Sequence, residues 1–231
     1  FKKKIVVTGG EGRFASVLKK TKSNYDYLFP SKKTLNILNV NSIRKYIQKY
    51  KPKYLLHCAG LSRPMIIHET NFRKSIDINI IGTANVTKIC SEYNVKLIYF
   101  STGYVYEGKI GNYKETSPVL PINKYAWSKL GGECAVKLYK NSLILRIIMC
   151  EKPFLHKSAF KDIKTNFIFH EDVAKFIPKI LNKKGILNVG GKIQSVYNFA
   201  KKYNKFIKKT SGRKVFPPNP SMNIVKLKKI I

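Results

Sequence analysis

Residues 5–15 read Ile5-Val6-Val7-Thr8-Gly9-Gly10-Glu11-Gly12-Arg13-Phe14-Ala15. A short apolar run without polar alternation has the pattern of a strand buried on both faces, as in a parallel sheet. Glycines at positions 9, 10 and 12 then turn the chain, and a helix is expected through about Lys20. A glycine-rich turn between strand and helix lets backbone approach a pyrophosphate and sets that group at the positive end of the helix. Gly9 and Gly12 hold the first two positions of a G-x-x-G-x-x-G-like loop. Ala15 holds the third, with the smallest side chain that still allows close helix–strand packing. Arg13 and Phe14 are placed to close over a bound dinucleotide. A plain strand–turn–helix joint would look the same locally; the position of this one, at the head of an alternating chain, favours nucleotide binding.

The alternation continues outward. Strands are expected at Tyr25–Phe29, Tyr54–His57, Val95–Ser101 and Ser142–Ile148. Helices are expected at Asn41–Tyr50, Phe72–Tyr93 and Ile122–Tyr139. Such units connect with right-handed crossovers and build a parallel sheet covered on both faces. The expected fold is therefore α/β, with a Rossmann-like doubly wound parallel sheet. After about Glu151 the pattern loosens. A short helix at Glu171–Asn182, the segment Gly185–Val189, a helix from about Ser195 to Lys208 and an extended Phe216–Pro220 tail follow. Residues 1–150 are expected to form the NAD(P)-binding domain. Residues 151–231 are expected to form a small, abbreviated C-terminal substrate lobe, part of it packing back on the sheet.

Composition narrows the class. Apolar residues make up 44% of the 231, enough for a sizeable core. No run of about 18 apolar residues suggests a membrane span, and the N-terminus lacks a signal-peptide pattern, so a cytoplasmic location is expected. The missing initiator Met suggests a trimmed or partial N-terminus. Cys58, Cys90, Cys134 and Cys150 have neither CxxC nor metal-ligand spacing, and read as free thiols with no metal. The net charge of +33 comes from 39 Lys and only 6 Arg. Recognition of phosphates and bases favours arginine's planar fork. The spread-out lysines therefore read first as compositional bias, then as a field that favours anionic substrate and cofactor. They indicate no specific nucleic-acid partner.

Two further stretches carry chemistry: Ser101-Thr102-Gly103-Tyr104-Val105-Tyr106 and Tyr125-Ala126-Trp127-Ser128-Lys129. On a helix, Tyr125 and Lys129 share one face. With the glycine loop, and with His57-Cys58-Ala59-Gly60, Asn79-Ile80-Ile81-Gly82-Thr83 and Phe167–Ala174 between and after them, they resemble the extended short-chain dehydrogenase/reductase superfamily. Within it the chain is most similar to the dTDP-4-dehydrorhamnose reductase group of sugar-nucleotide reductases.

That resemblance implies a reductase of a 4-keto-6-deoxy sugar nucleotide, serving deoxysugar or polysaccharide synthesis. An NAD-dependent epimerase or dehydratase, or a non-catalytic NAD(P)-binding regulatory protein, are the alternatives. Catalysis would rest on Thr102, Tyr125 and Lys129. A free phenol ionises near pH 10, so Tyr125 needs a neighbouring positive charge to work as an acid near neutrality. Lys129 supplies one and, by resemblance, bonds the nicotinamide ribose. Thr102 polarises the substrate carbonyl; the family pattern selects it over Ser101. Asn79 matches a position that supports a water or a backbone kink near the lysine. Gly103 departs from the family, where Asp is common, and this argues against dehydratase chemistry.

The cofactor-binding set is Gly9, Gly12, Arg13, Phe14, Ser31, Lys32, Asn36, Ile37, Cys58, Ala59, Gly60, Tyr125 and Lys129. NAD enzymes usually carry an Asp or Glu at the end of the second strand for the ribose 2′-OH. Here that strand ends Phe29-Pro30-Ser31-Lys32-Lys33, a hydroxyl and two cations with no carboxylate. NADP(H) is therefore favoured, with NAD(H) left open, and Arg13 is the better discriminator because arginine is scarce. By resemblance, Asn36-Ile37 sits beside the adenine. His57 reads as an ordinary strand-end residue and Asp172 as a brace for the second lobe. Arg146 and Lys157 are candidates for a sugar diphosphate. The expected partner is a small sugar nucleotide, with no membrane, and a homodimer is allowed.

Overall fold

The computed structural model describes residues 2–212 and 216–231. Six strands form the central sheet: β1 (Lys4–Thr8), β2 (Asp26–Leu28), β3 (Tyr54–His57), β4 (Lys96–Phe100), β5 (Ser142–Ile147) and β6 (Gly185–Val189). Their order is β2-β1-β3-β4-β5-β6, and every neighbouring pair is parallel. Register runs from Ile5 to Tyr54, Tyr54 to Lys96, Ile98 to Leu143 and Leu143 to Gly185. The expected α/β fold with a doubly wound parallel sheet is the one observed.

Successive residues of a strand point to opposite faces, so an unbroken apolar run feeds two cores. Ile5, Val7, Leu56 and Ile98 pack on one face with the helices Arg13–Lys20 and His170–Ile180. Val6, Leu55, Leu97 and Tyr99 pack on the other with Val40–Tyr50, Gly82–Glu92 and the inner side of Lys124–Lys137. The chain leaves β1 for β2 on one side and returns to β3 on the other. That reversal opens a crevice at the C-terminal ends of β1 and β3, where open α/β sheets bind ligands.

Two expected helices differ in form. The stretch expected as one helix from Phe72 to Tyr93 contains a π-helical turn at Ile76–Ile81 before the α-helix Gly82–Glu92. Buried Asn79 lies in that turn, and its side-chain bonds reach outside the helix. The extra residue shifts the phase, so Ile76 and Ile81 are exposed, although α periodicity would place Ile76 inside with Ile80. The helix expected from Ser195 to Lys208 ends at Lys201, and Lys208–Thr210 instead pairs in parallel with Ser158–Phe160. The Tyr125 helix begins at Lys124 rather than Ile122, because the side chain of Asn123 accepts a bond from the Ala126 amide at 2.8 Å and caps it.

Beyond β5 a separate, aromatic cluster forms around Phe154, Phe169 and Phe199. The last segment runs back over the loop after Tyr106. The Asn219 amide donates to the Gly108 carbonyl at 2.7 Å, and Met222 exchanges two bonds with the Asn166 side chain. Among the described residues no helix is long and apolar enough to cross a membrane.

Candidate active site

The site starts at the glycine loop. Gly9 has φ +70°, and a Cβ there would lie 2.9 Å from the Ala59 amide nitrogen. Its bare backbone therefore rests on the end of β3. The Gly12 amide donates to the Gly9 carbonyl at 2.8 Å, and the helix opens at Arg13 with no side-chain cap. A helix start left without a cap presents free N–H groups, which suit an anion. On these observations the loop fits a dinucleotide pyrophosphate.

Next to it, a cavity of about 750 Å³ that Arg13, the residue after the loop, helps to line extends along the C-terminal ends of β3, β4 and β5. Arg13, Cys58, Gly60, Thr102, Tyr125 and Lys129 all line it. Ser31, Lys32 and Asn36 line a separate depression on the other side of the loop, together with Glu11. Ile37 is buried, and its side chain fills the space a Cβ on Gly82 would need. The Ala59 amide donates to Thr8 Oγ1 at 3.2 Å.

β4 delivers the two hydroxyls. Ser101 Oγ donates to Glu133 Oε1 at 2.5 Å, and Glu133 forms a bidentate pair with Arg146 inside the protein. Thr102 lines the cavity, and its Oγ1 accepts from the Tyr104 amide at 3.3 Å. Thr102 thus keeps its hydroxyl proton for another acceptor, whereas that of Ser101 is committed.

Tyr125 is half-buried, its ring 5.1 Å from that of His68. Burial, helped by Tyr104, pushes its phenol up to about 12; the hydrogen bond with Thr102 and the charges of Arg63 and Arg13 pull the other way. Lys129 is almost wholly enclosed, with Nζ 4.2 Å from the centre of the Tyr99 ring. Burial pushes its ammonium down to about 7, against the opposing pull of Glu133 and Cys58. A Cβ on Gly60 would stand 3.7 Å from Lys129 Nζ and 3.3 Å from Asn79 Oδ1, so the glycine leaves that side of the lysine open. Asn79 Oδ1 accepts from the Leu61 amide at 2.8 Å, while its Nδ2 donates to the Leu61 carbonyl and to Ser128 Oγ. It ties the loop after β3 to the residue before Lys129.

Several expected roles meet different surroundings. Phe14 does not lie over the cleft: it is in the core, its ring 5.1 Å from Phe100. Arg13 reaches Glu151 and Ser62 in the large cavity, away from Ser31 and Lys32. Arg146 is held inside by Glu133 and Tyr106 and is unavailable to a diphosphate. Lys157 lines the cavity. Asp172 is exposed and pairs with Lys175, one turn along its own helix. His57 is buried between Thr8 and Thr83, and burial pushes it down to about 3.

Four residues near the site were not singled out from sequence. Arg63 and Glu151, both lining the cavity, form an ion pair at 3.2 Å, His68 packs on Tyr125, and Glu11 lines the smaller depression. The scarcity that marked Arg13 applies equally to Arg63, which follows β3 closely. Among the described residues no group of His, Cys, Asp and Glu is arranged to hold a metal ion.

The family described as "RmlD substrate binding domain" matches residues 3–150. A methionine adenosyltransferase 2 subunit beta from Xenopus laevis is 32% identical over 143 residues, covering 58% of this chain and 42% of that protein. A dTDP-4-dehydrorhamnose reductase from Aggregatibacter actinomycetemcomitans is 27% identical over 148 residues, covering 62% of this chain and 50% of that protein. The chain thus spans half or less of the length of these curated relatives. The crystal structure of dTDP-4-dehydrorhamnose reductase from Bacillus anthracis str. Ames, in complex with NADP, superposes with a TM-score of 0.88 at 24% identity, covering 99% of this chain and 92% of that one. At that identity the likeness is one of fold.

Proposed function

This chain belongs to the RmlD substrate binding domain family, and from that premise we propose that it is an NADP(H)-dependent reductase of a 4-keto-6-deoxy sugar nucleotide. The observation that carries the reading is the meeting of Thr102, Tyr125 and Lys129 on one cavity that Arg13, directly after the glycine loop, also lines. The NADP named with the Bacillus anthracis reductase supports the cofactor, and the Aggregatibacter relative supports the substrate class. Residues 1–150 carry the dinucleotide, and residues 151–231 supply much of the wall that faces the sugar nucleotide.

The bound nicotinamide would supply the hydride. Tyr125 gives its proton to the carbonyl oxygen, and its raised pKa keeps that proton in place at neutral pH, the form a general acid needs. Thr102 donates a hydrogen bond to the same oxygen and polarises it. Lys129, with an ammonium poised near 7, supplies positive charge that favours the phenolate left behind. Asn79 holds the backbone around Leu61 and Ser128, so the lysine has a fixed approach.

The test is NADPH oxidation with dTDP- and UDP-linked 4-keto-6-deoxyhexoses. Tyr125→Phe is expected to cut turnover roughly 100-fold or more while NADPH binding stays near that of the parent. A mutant as active as the parent overturns the role of Tyr125. A second reading, a dinucleotide-binding subunit without catalysis, draws on relatives named as subunits of another enzyme. Tight NADPH binding with no turnover on any ketosugar would favour it.

A further inference from the structure

The end of β2 contains no carboxylate in its own sequence, yet one lies beside it. A Cβ on Gly10 would come within 2.6 Å of the Phe29 carbonyl carbon and 2.7 Å of the Pro30 oxygen. Only a residue without a side chain lets the loop ride this closely on the strand end. The next residue, Glu11, is thereby carried to the turn at Ser31–Lys32, where its Oε2 accepts a long bond of 3.4 Å from the Lys32 amide. Glu11, Ser31, Lys32, Lys33 and Asn36 line one depression, on the far side of the loop from the catalytic cavity.

Position and chemistry coincide. In dinucleotide-binding sheets, the region beyond the end of the second strand holds the adenosine ribose, and a carboxylate there bonds the free 2′-hydroxyl. A 2′-phosphate in the same place meets that carboxylate as a like charge. Lys32 and Lys33 act in the opposite direction. Lys32 and Glu11 are both exposed in the same depression, so neither charge is spent inside the protein.

We infer that Glu11, delivered by the glycine loop rather than by β2, is the residue that decides between a dinucleotide with a 2′-hydroxyl and one with a 2′-phosphate. It holds back the preference that Ser31, Lys32 and Lys33 would otherwise give to the phosphate, and it lets the site accept both forms. This rests on the dinucleotide reading above, not on the sugar substrate.

The experiment is calorimetric binding of NADPH, NADH, 2′,5′-ADP and 5′-AMP to the full chain, to Glu11→Gln and to Lys32→Gln. Glu11→Gln removes one charge and keeps the shape. It is expected to tighten NADPH and 2′,5′-ADP and to loosen or leave unchanged NADH and 5′-AMP, moving the ratio about tenfold toward the phosphate. Lys32→Gln is expected to move it the other way. Equal changes for both forms would mean that Glu11 only shapes the turn, and would overturn the inference. So would an unchanged ratio. If the parent chain binds neither dinucleotide, the dinucleotide reading falls, and this inference with it; binding without a Glu11 effect sinks the inference alone.

Discussion

Arg13 Nη1 lies 2.5 Å from Glu151 Oε1, a bridge from the glycine loop to the segment after β5. The same oxygen accepts from Arg63 Nη1 at 3.2 Å. Burial pushes the Glu151 carboxyl up, but its own backbone amide and the two guanidiniums outweigh this, and it ends below the usual range. One carboxylate thus restrains two arginines that line the cavity. An anionic dinucleotide or substrate competes with Glu151 for them.

Glu151→Gln should therefore favour anion binding. At low ionic strength the dissociation constant for NADPH is expected to fall about threefold or more, and the gain should fade in strong salt as the charges are screened. Quenching of protein fluorescence by NADPH at two salt concentrations reads this directly. Arg13→Ala should move affinity in the opposite direction. A dissociation constant indifferent to Glu151→Gln at low salt would show that the arginines face no ligand charge.

What the sequence disclosed follows from what is local. Ile5-Val6-Val7 and Leu55-Leu56 read as strands because burial on both faces leaves a continuous apolar run. The glycine spacing read as a loop because the constraint acts within a few residues. The π turn was not legible in the periodicity, and only the resemblance pointed to a kink at Asn79: Ile76 and Ile80 keep helical spacing, while the partners that draw Asn79 inward, Leu61 and Ser128, stand 18 and 49 residues away. Glu11 read as a loop residue because its reach depends on Gly10 resting on Phe29. Arg146 looked available because nothing near it in the chain shows that Glu133, one helix earlier, turns inward to meet it.

Gly103, where the resemblance implies Asp, sits in a closed space. A Cβ there would lie 2.8 Å from Ile148 Cδ1 and 2.9 Å from Met222 Sδ. Both neighbours are buried, and Met222 is held by its two bonds with Asn166. The last segment of the chain thus occupies room an aspartate would need. Gly103→Asp is expected to destabilise the fold by about 2–4 kcal/mol, through overpacking and a desolvated carboxylate. Adding Met222→Ala should recover part of that loss. Urea midpoints for the single and double variants check it; a single variant as stable as the parent would mean that the tail yields freely.

Several buried bases bear on stability in one direction. Burial holds His57 down to about 3, and His68 and His170 below the ordinary value of 6.5. Burial likewise holds Lys129 down to about 7 and Lys96, beside Lys184, down to about 8, from 10.5. Each folded-state pKa is depressed below that of the unfolded chain. Between the two values the unfolded chain carries the proton and the folded one does not, so stability rises with pH across that interval. The histidines make stability fall as pH drops from about 6.5, and the lysines make it climb from about 7 to 10.5. Burial raises the thiols of Cys58, Cys90 and Cys150 above their ordinary value of 9.0, and Tyr27 and Tyr46 to about 12, so from about pH 9 upward the unfolded chain loses protons that the folded one keeps, and stability declines again. The maximum for the ligand-free chain is therefore expected at about pH 8.5–9, higher than the usual range of about 5 to 8. Lys129→Met should raise the urea midpoint at pH 6, where the buried ammonium costs most, and should flatten the climb from about pH 7 to 8.5. It should also abolish turnover, separating the charge the site needs from the stability it takes away. A midpoint that is level or falling from about pH 7 to 8.5, or a Lys129→Met variant no more stable at pH 6, would show that the lysine keeps its full charge in the folded protein.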